Sequence, residues 1–94
     1  MEGIKYDNEK PKADIVLSDF SRALIEVCKV GTIGIEKYSA GNWVHVQDGM
    51  QRYSDAMVRH YLLEKIEIHD AETKKLHAAH VAWNALARLE LMLR

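Results

Sequence analysis

The chain holds a single cysteine, Cys28, and a single proline, Pro11. One cysteine cannot build an internal disulfide framework, so a reducing, cytoplasmic compartment is the expected home, and the neighbouring Val27 and Val30 predict a core thiol. No stretch approaches the roughly 18 consecutive apolar residues of a membrane span. The opening Met1-Glu2-Gly3-Ile4-Lys5-Tyr6-Asp7 lacks the apolar heart of a signal peptide, which predicts a soluble, non-secreted protein with no membrane partner. Positive charge is not in surplus either. A formal net charge of −1 excludes the generally basic surface that a long nucleic acid requires, while leaving room for a small anionic ligand held by a few local cations. Strand signals are absent apart from short β-branched runs such as Ile15-Val16, and there is no internal repeat or low-complexity tract.

What is present reads as helix. At 94 residues the chain predicts one domain, 1–94, because dividing it would leave two marginal cores. Its 48% hydrophobic content is more apolar surface than so small a domain easily hides, which predicts a homo-oligomer. Residues 1–17 read as a polar arm with neither helical nor strand periodicity over Lys5 to Asp14. Ser18 or Asp19 then caps a helix with Phe20, Leu24, Val27 and Gly31 on one face, running toward Tyr38. Gly31 and Gly34 within it point to a kinked helix end, a close helix contact or a backbone approached by a ligand. After a loop from Ser39, Asp48 caps a second helix from about Gly49 to Glu67, with Met50, Tyr53 or Ser54, Met57 and Tyr61 as its buried stripe. Asp70 caps a third helix to the C-terminus, with Leu76, Ala79, Trp83, Leu86, Leu89 and Leu93 at helical spacing. The expected fold class is all-α, a small bundle of three principal helices completed by self-association.

Several polar residues recur where packing alone does not ask for them. His77, His80, Asn84 and Arg88 line one side of the third helix, facing water, a subunit contact or a ligand. On the second helix, Arg52 and Arg59 lie seven residues apart, as do Tyr53 and His60. Guanidinium groups fork onto phosphate oxygens and an aromatic ring stacks on a base, so this mixture suits a nucleotide as well as it suits a solvated helix face. Lys37, Tyr38, Asn42 and Trp43 concentrate a cation, an amide and two aromatics in the loop after the first helix. Glu36, Glu67, Asp70 and Glu72 form the candidate metal set, since hard divalent cations take oxygen ligands and bridge to phosphates. A different arrangement, from His60, the His69-Asp70 pair, His77 and His80, superficially resembles the clusters of HD-type phosphohydrolases, but its spacing along the chain is compressed.

Taken in order, these residues compose a series: Lys5-x-Asp7-x-x-Lys10-Pro11, Gly34-x-x-Lys37-Tyr38-x-x-x-Asn42-Trp43, Arg52-Tyr53-x-x-Ala56-x-x-Arg59-His60, Glu67-x-x-Asp70-x-Glu72-Thr73 and His77-x-x-His80-x-x-x-Asn84. The series resembles the dATP/dGTP diphosphohydrolase family of phages, sometimes called MazZ, from about Lys5 to Leu91. The resemblance implies an all-α phage protein of the host-cell cytoplasm, related to MazG-like nucleotide pyrophosphohydrolases. Such enzymes cleave a (deoxy)nucleoside triphosphate to the monophosphate and pyrophosphate with Mg²⁺ or Mn²⁺. It implies catalytic and metal roles for Glu67 and Asp70 and metal roles for Glu36 and Glu72. Nucleotide contacts would come from Lys5, Asp7, Lys10, Lys37, Tyr38, Asn42, Trp43, Arg52, Tyr53, Arg59, His60, His77, His80 and Asn84. One departure stands out: MazG-like helices carry Glu-x-x-Glu and Glu-x-x-Asp pairs where this chain has Arg59-His60 and His77-x-x-His80. The alternative function is a sponge that sequesters a cyclic immune nucleotide without cutting it, because Lys, Arg, His, Asn and aromatic residues bind nucleotides without a metal.

Overall fold

In the computed structural model, which describes residues 3–94, the regular structure is helical: α1 (Ala13–Ser18), α2 (Ser21–Lys37), a 3-10 turn (Asn42–His45), α3 (Gly49–Leu63) and α4 (His77–Leu93). No strand occurs among the described residues; His69 and Leu76 form one isolated antiparallel bridge. The fold is all-α, as the absence of alternating patterns predicts. No helix of the described residues is long and apolar enough to cross a membrane.

α4 is the spine. Its partner α3 runs antiparallel to it: His60 meets His77, Ser54 receives a 2.7 Å hydrogen bond from Arg88 Nε, and Gly49 lies against Leu91. α2 crosses α4 where Gly31 lies beneath Trp83, and a Cβ at position 31 would sit 3.1 Å from the indole Nε1. Of the three roles open to Gly31, close helix contact is the one realised, and α2 continues through both glycines to Lys37. Gly34 has nothing within 4 Å of such a Cβ, and both glycines border a cavity.

The helix limits depart from the sequence reading for identifiable reasons. The arm, whose first two residues lie outside those described, contains the short helix α1, which is exposed throughout. Neither Ser18 nor Asp19 caps α2: the Ser18 hydroxyl donates to Asp14 Oδ1, and the cap position is Phe20. Asp48 precedes α3 in a left-handed conformation, φ 56°, and makes no side-chain cap hydrogen bond. α3 stops at Leu63, and α4 begins at His77 rather than near Asp70. Between them the chain reverses through residues 64–76, where Asp70 N–H donates to the Lys75 carbonyl and His77 N–H to the Ile68 carbonyl. That second bond satisfies an amide at the start of α4, which has no side-chain cap.

Burial is corrected in the same way. Cys28 is exposed, not a core thiol, because it lies on the side of α2 that no other helix covers. Tyr61 is half exposed at 51%, and Leu86, Leu89 and Leu93 are exposed too, while Ala79 and Ala87 occupy the close contacts of α4. Two members of the polar line of α4 are buried, His77 at 1% exposed and Asn84 at 5%, while His80 and Arg88 are half-buried. Small residues let the helices approach, and the larger side chains of α4 are left at the margins.

Candidate functional site

A cavity of about 530 Å³ opens between α2, the 3-10 turn, α3 and α4. That volume is within the range of small-molecule sites. Its walls combine glycine backbone at Gly31, Gly34 and Gly41 with the rings of Tyr38, Trp43, Tyr53 and Trp83 and the polar groups of Asn42, Arg52 and Asn84. Gly41 takes φ 77°, the left-handed turn that leads into the 3-10 segment and brings Asn42 and Trp43 to the rim.

Three of the rings brace one another. Tyr53 and Trp83 meet edge to face with centroids 5.5 Å apart, Trp43 lies 6.3 Å from each, and the Tyr53 hydroxyl donates to the Trp43 carbonyl. Burial raises the Tyr53 phenol above its ordinary value, so it stays a neutral donor. Tyr38 remains 65% exposed at the mouth, with the Lys37 ammonium 5.5 Å from its ring. Asn84 is held by its Nδ2, which donates to the His80 carbonyl at 2.8 Å, so its Oδ1 is the acceptor left for the cavity.

One helical turn along the seam between α3 and α4 lies a second constellation. From Ala56 to His60, and from Asn84 back to His80, is a rise of about 6 Å. His60 Nδ1 and His77 Nδ1 are 2.8 Å apart, and the His60 ring stacks on His80 at 4.3 Å and 7°. The reversal after α3 returns Asp70 to the same place. Asp70 Oδ2 accepts from the Thr73 amide and from the Thr73 hydroxyl, whose oxygen lies 2.7 Å from His80 Nε2. The hydroxyl has one proton and gives it to Asp70, so His80 Nε2 donates, and the polar chain runs His80 to Thr73 to Asp70. Burial pushes Asp70 up, but the two Thr73 hydrogen bonds together with the neighbouring His80 and His60 leave the carboxyl below its ordinary value. His77 Nε2 is buried without a hydrogen-bond partner, 3.9 Å from Glu67 Oε1. Such an orphan costs about 1–3 kcal/mol.

Burial, then the neighbouring His80, pushes His60 down to about 4, and burial lowers His80 despite the opposing charge of Asp70. The rings are therefore neutral in the fold at neutral pH. Once unfolded, His60 recovers a value near 6.5, so the unfolded chain binds more protons between 6.5 and about 4. The stabilising contribution is whole above that window and is lost as the pH falls through it. In chelator, the urea midpoint should fall from pH 7 to pH 5 by the equivalent of about 1 kcal/mol, discounted for the ring's partial access to water, and His60→Gln should flatten the dependence. Equal midpoints at the two values would refute this assignment.

The sequence candidates thus divide. Tyr38, Asn42, Trp43, Arg52, Tyr53 and Asn84 share the cavity, and His60, Asp70, His77 and His80 share the seam. Lys37 lies beside the cavity in an exposed ion pair with Glu72 at 3.2 Å, whose hydrogen bond raises the lysine. Arg59 is exposed on α3 outside the cavity, and Lys5, Asp7 and Lys10 stay exposed in the arm. The four carboxylates are not gathered into one ligand set: Glu36 is exposed on α2, Glu72 faces Lys37, and Glu67 faces His77. Among the described residues, the group whose ligand atoms all lie within 4.8 Å of one another is His60, Asp70 and His77. Part of the compressed histidine arrangement is thus what the fold assembles: His69 is outside it, and His80 stacks on His60 without joining the ligand group. Two residues escaped the sequence reading as site residues: Trp83, absorbed into an apolar stripe, and Thr73, whose position three after an aspartate is the signal of a local side-chain turn.

Along its whole length, residues 1–94, the chain matches the family described as dATP/dGTP diphosphohydrolase, N-terminal. It belongs to that family. A relative from Salmonella phage PMBT28, named dATP/dGTP diphosphohydrolase, is 41% identical over 83 residues, covering 87% of this chain and 27% of the relative. The chain therefore spans about a quarter of the length of that relative. No solved structure matches it. Within the family's N-terminal region, the cavity and the histidine seam are the features with the chemistry to hold a small polar ligand.

Proposed function

We propose that the chain binds a purine deoxynucleoside triphosphate and hydrolyses it to the monophosphate and pyrophosphate with the help of a divalent cation, acting on dATP or dGTP as the relative's name describes. The observation that carries this reading is the adjacency of an aromatic cavity to a cluster of imidazoles and a carboxylate one helical turn away. A base between Tyr38 and the braced rings of Trp43, Tyr53 and Trp83 would present its exocyclic amine or ring N–H to Asn84 Oδ1. The triphosphate would run past Ala56 toward His60, with Lys37 able to exchange Glu72 for a phosphate oxygen. The reaction adds water oxygen to the α-phosphorus, breaks the bridge to the β-phosphate and releases a proton. Histidines held neutral can accept that proton.

Self-association belongs to the same proposal. Ile25, Ile35, Leu86, Leu89, Met92 and Leu93 remain exposed on α2 and α4, an apolar surface that a second copy would cover. Light scattering that returned the 10.8 kDa mass of a single chain at working concentration would remove this part.

The deciding experiment incubates the purified chain with the four deoxynucleoside triphosphates and with cyclic dinucleotides, with and without Mn²⁺, and chromatographs both the solution and the heat-released bound fraction. Monophosphate and pyrophosphate from dATP or dGTP, formed only with metal, are the expected products. An intact nucleotide recovered from the denatured protein, with no product in either condition, would replace hydrolysis with the sponge function.

A further inference from the structure

We propose that His60, Asp70 and His77 form a binding site for one first-row transition-metal ion, with a donor set that selects against Mg²⁺. Ligand atoms from the three residues lie within 4.8 Å of one another. Two nitrogens bound at about 2.1 Å stand about 3.0 Å apart on an octahedral ion and about 3.4 Å apart on a tetrahedral one; the two Nδ1 atoms stand 2.8 Å apart, so the octahedral bite needs the smaller adjustment. Two imidazoles and one carboxylate leave coordination positions open for water or a phosphate oxygen, the arrangement of mononuclear catalytic sites. Mg²⁺ demands near-octahedral oxygen coordination and is a poor match for imidazole, whereas Fe²⁺, Co²⁺, Ni²⁺ and Zn²⁺ accept it readily.

The surroundings fit a metal better than they fit packing. If His77 gives the lone pair of Nδ1 to an ion, its proton must reside on Nε2, the buried nitrogen that lacks a partner and faces Glu67 Oε1 at 3.9 Å. A closing movement of about 1 Å makes that contact a hydrogen bond and gives the histidine the outer carboxylate that orients metal-bound imidazoles. Asp70 is fixed from behind by the amide and hydroxyl of Thr73, and the stacked His80 holds the His60 ring flat. Glu67 and Asp70 keep a part in metal binding, Glu67 as a positioning residue and Asp70 as a ligand, while Glu36 and Glu72 have none.

As the seat of the hydrolase's cation this site rests on the function proposed above, but as a metal site it is measured with no nucleotide present. Tag-free, chelator-treated protein is titrated calorimetrically with Zn²⁺, Co²⁺, Mn²⁺ and Mg²⁺. One equivalent of Zn²⁺ or Co²⁺ should bind at least about 100-fold more tightly than Mg²⁺. His60→Gln and Asp70→Asn should each weaken Co²⁺ binding by tenfold or more, and Glu67→Gln by about tenfold. His45→Gln, in the 3-10 turn, should leave it unchanged. Circular dichroism of each variant separates loss of a ligand from loss of the fold. Mg²⁺ binding as tightly as Co²⁺, no binding by the wild-type chain, or Co²⁺ affinity unmoved in folded His60→Gln and Asp70→Asn would overturn the site. Metal binding without any nucleotide cleavage would retain the site and reject the hydrolase.

Discussion

Trp83→Ala is expected to lower the midpoint of thermal unfolding by about 10–20 °C. The indole roofs Gly31, meets Tyr53 edge to face and lies 6.3 Å from Trp43, so its removal opens the one place where α2, α3, α4 and the 3-10 turn all converge. Truncating a fully buried tryptophan costs about 3–5 kcal/mol. Trp83 is only partly buried, so about 2–3 kcal/mol is the appropriate scale, and each kcal/mol is worth about 4–8 °C in a chain of this length. Trp83→Phe keeps a ring over Gly31 and should lose less than half as much. Melting curves followed by far-ultraviolet circular dichroism read both. A shift below about 5 °C for the alanine variant would mean that the indole lines the cavity without holding the helices together.

Asn84→Leu is expected to reduce affinity for dATP or dGTP by about 10- to 100-fold while leaving the fold in place. Asn84 is 5% exposed, and its amide nitrogen is committed to the His80 carbonyl of its own helix. That carbonyl keeps its intrahelical partner when the amide is lost, so stability should change little. The ligand suffers more: a base donor desolvated against a leucine loses its acceptor and regains nothing, a penalty of about 1.5–3 kcal/mol. Fluorescence titration with each nucleotide under conditions that block turnover gives the comparison. Unaltered affinity in a folded Asn84→Leu protein would place the base elsewhere in the cavity.

How far the sequence announced this arrangement depends on the range over which each signal acts. Helical spacing acts over a few residues, and it identified three principal helices and the polar line through His77, His80 and Asn84. The same spacing could not say whether that line faced water; His77 and Asn84 are buried and His80 is half-buried. The residues at 70–73 have the form of a helix start, but Asp70 turns its carboxylate onto Thr73 and the helix waits until His77. A cap and a local turn use the same side chains. The histidine arrangement is compressed along the chain, but separation along the chain is not separation in space. An antiparallel reversal brings His60 and His77, seventeen positions apart, to hydrogen-bond distance. The apolar positions Leu86, Leu89 and Leu93 are legible as a stripe, but what covers a stripe is decided by other surfaces, and among the described residues these three stay half exposed or more.

The contact between Gly31 and Trp83 has a consequence for descent. With the indole nitrogen 3.1 Å from where a methyl group would begin, a side chain at position 31 requires the ring at position 83 to give by a few tenths of an ångström. Alanine at the first is therefore tolerated only as far as the ring at the second can shift or shrink, so changes at the two positions are coupled by geometry. The helix that carries the histidines and the helix that frames the cavity are bound into one evolutionary unit by the absence of a single carbon.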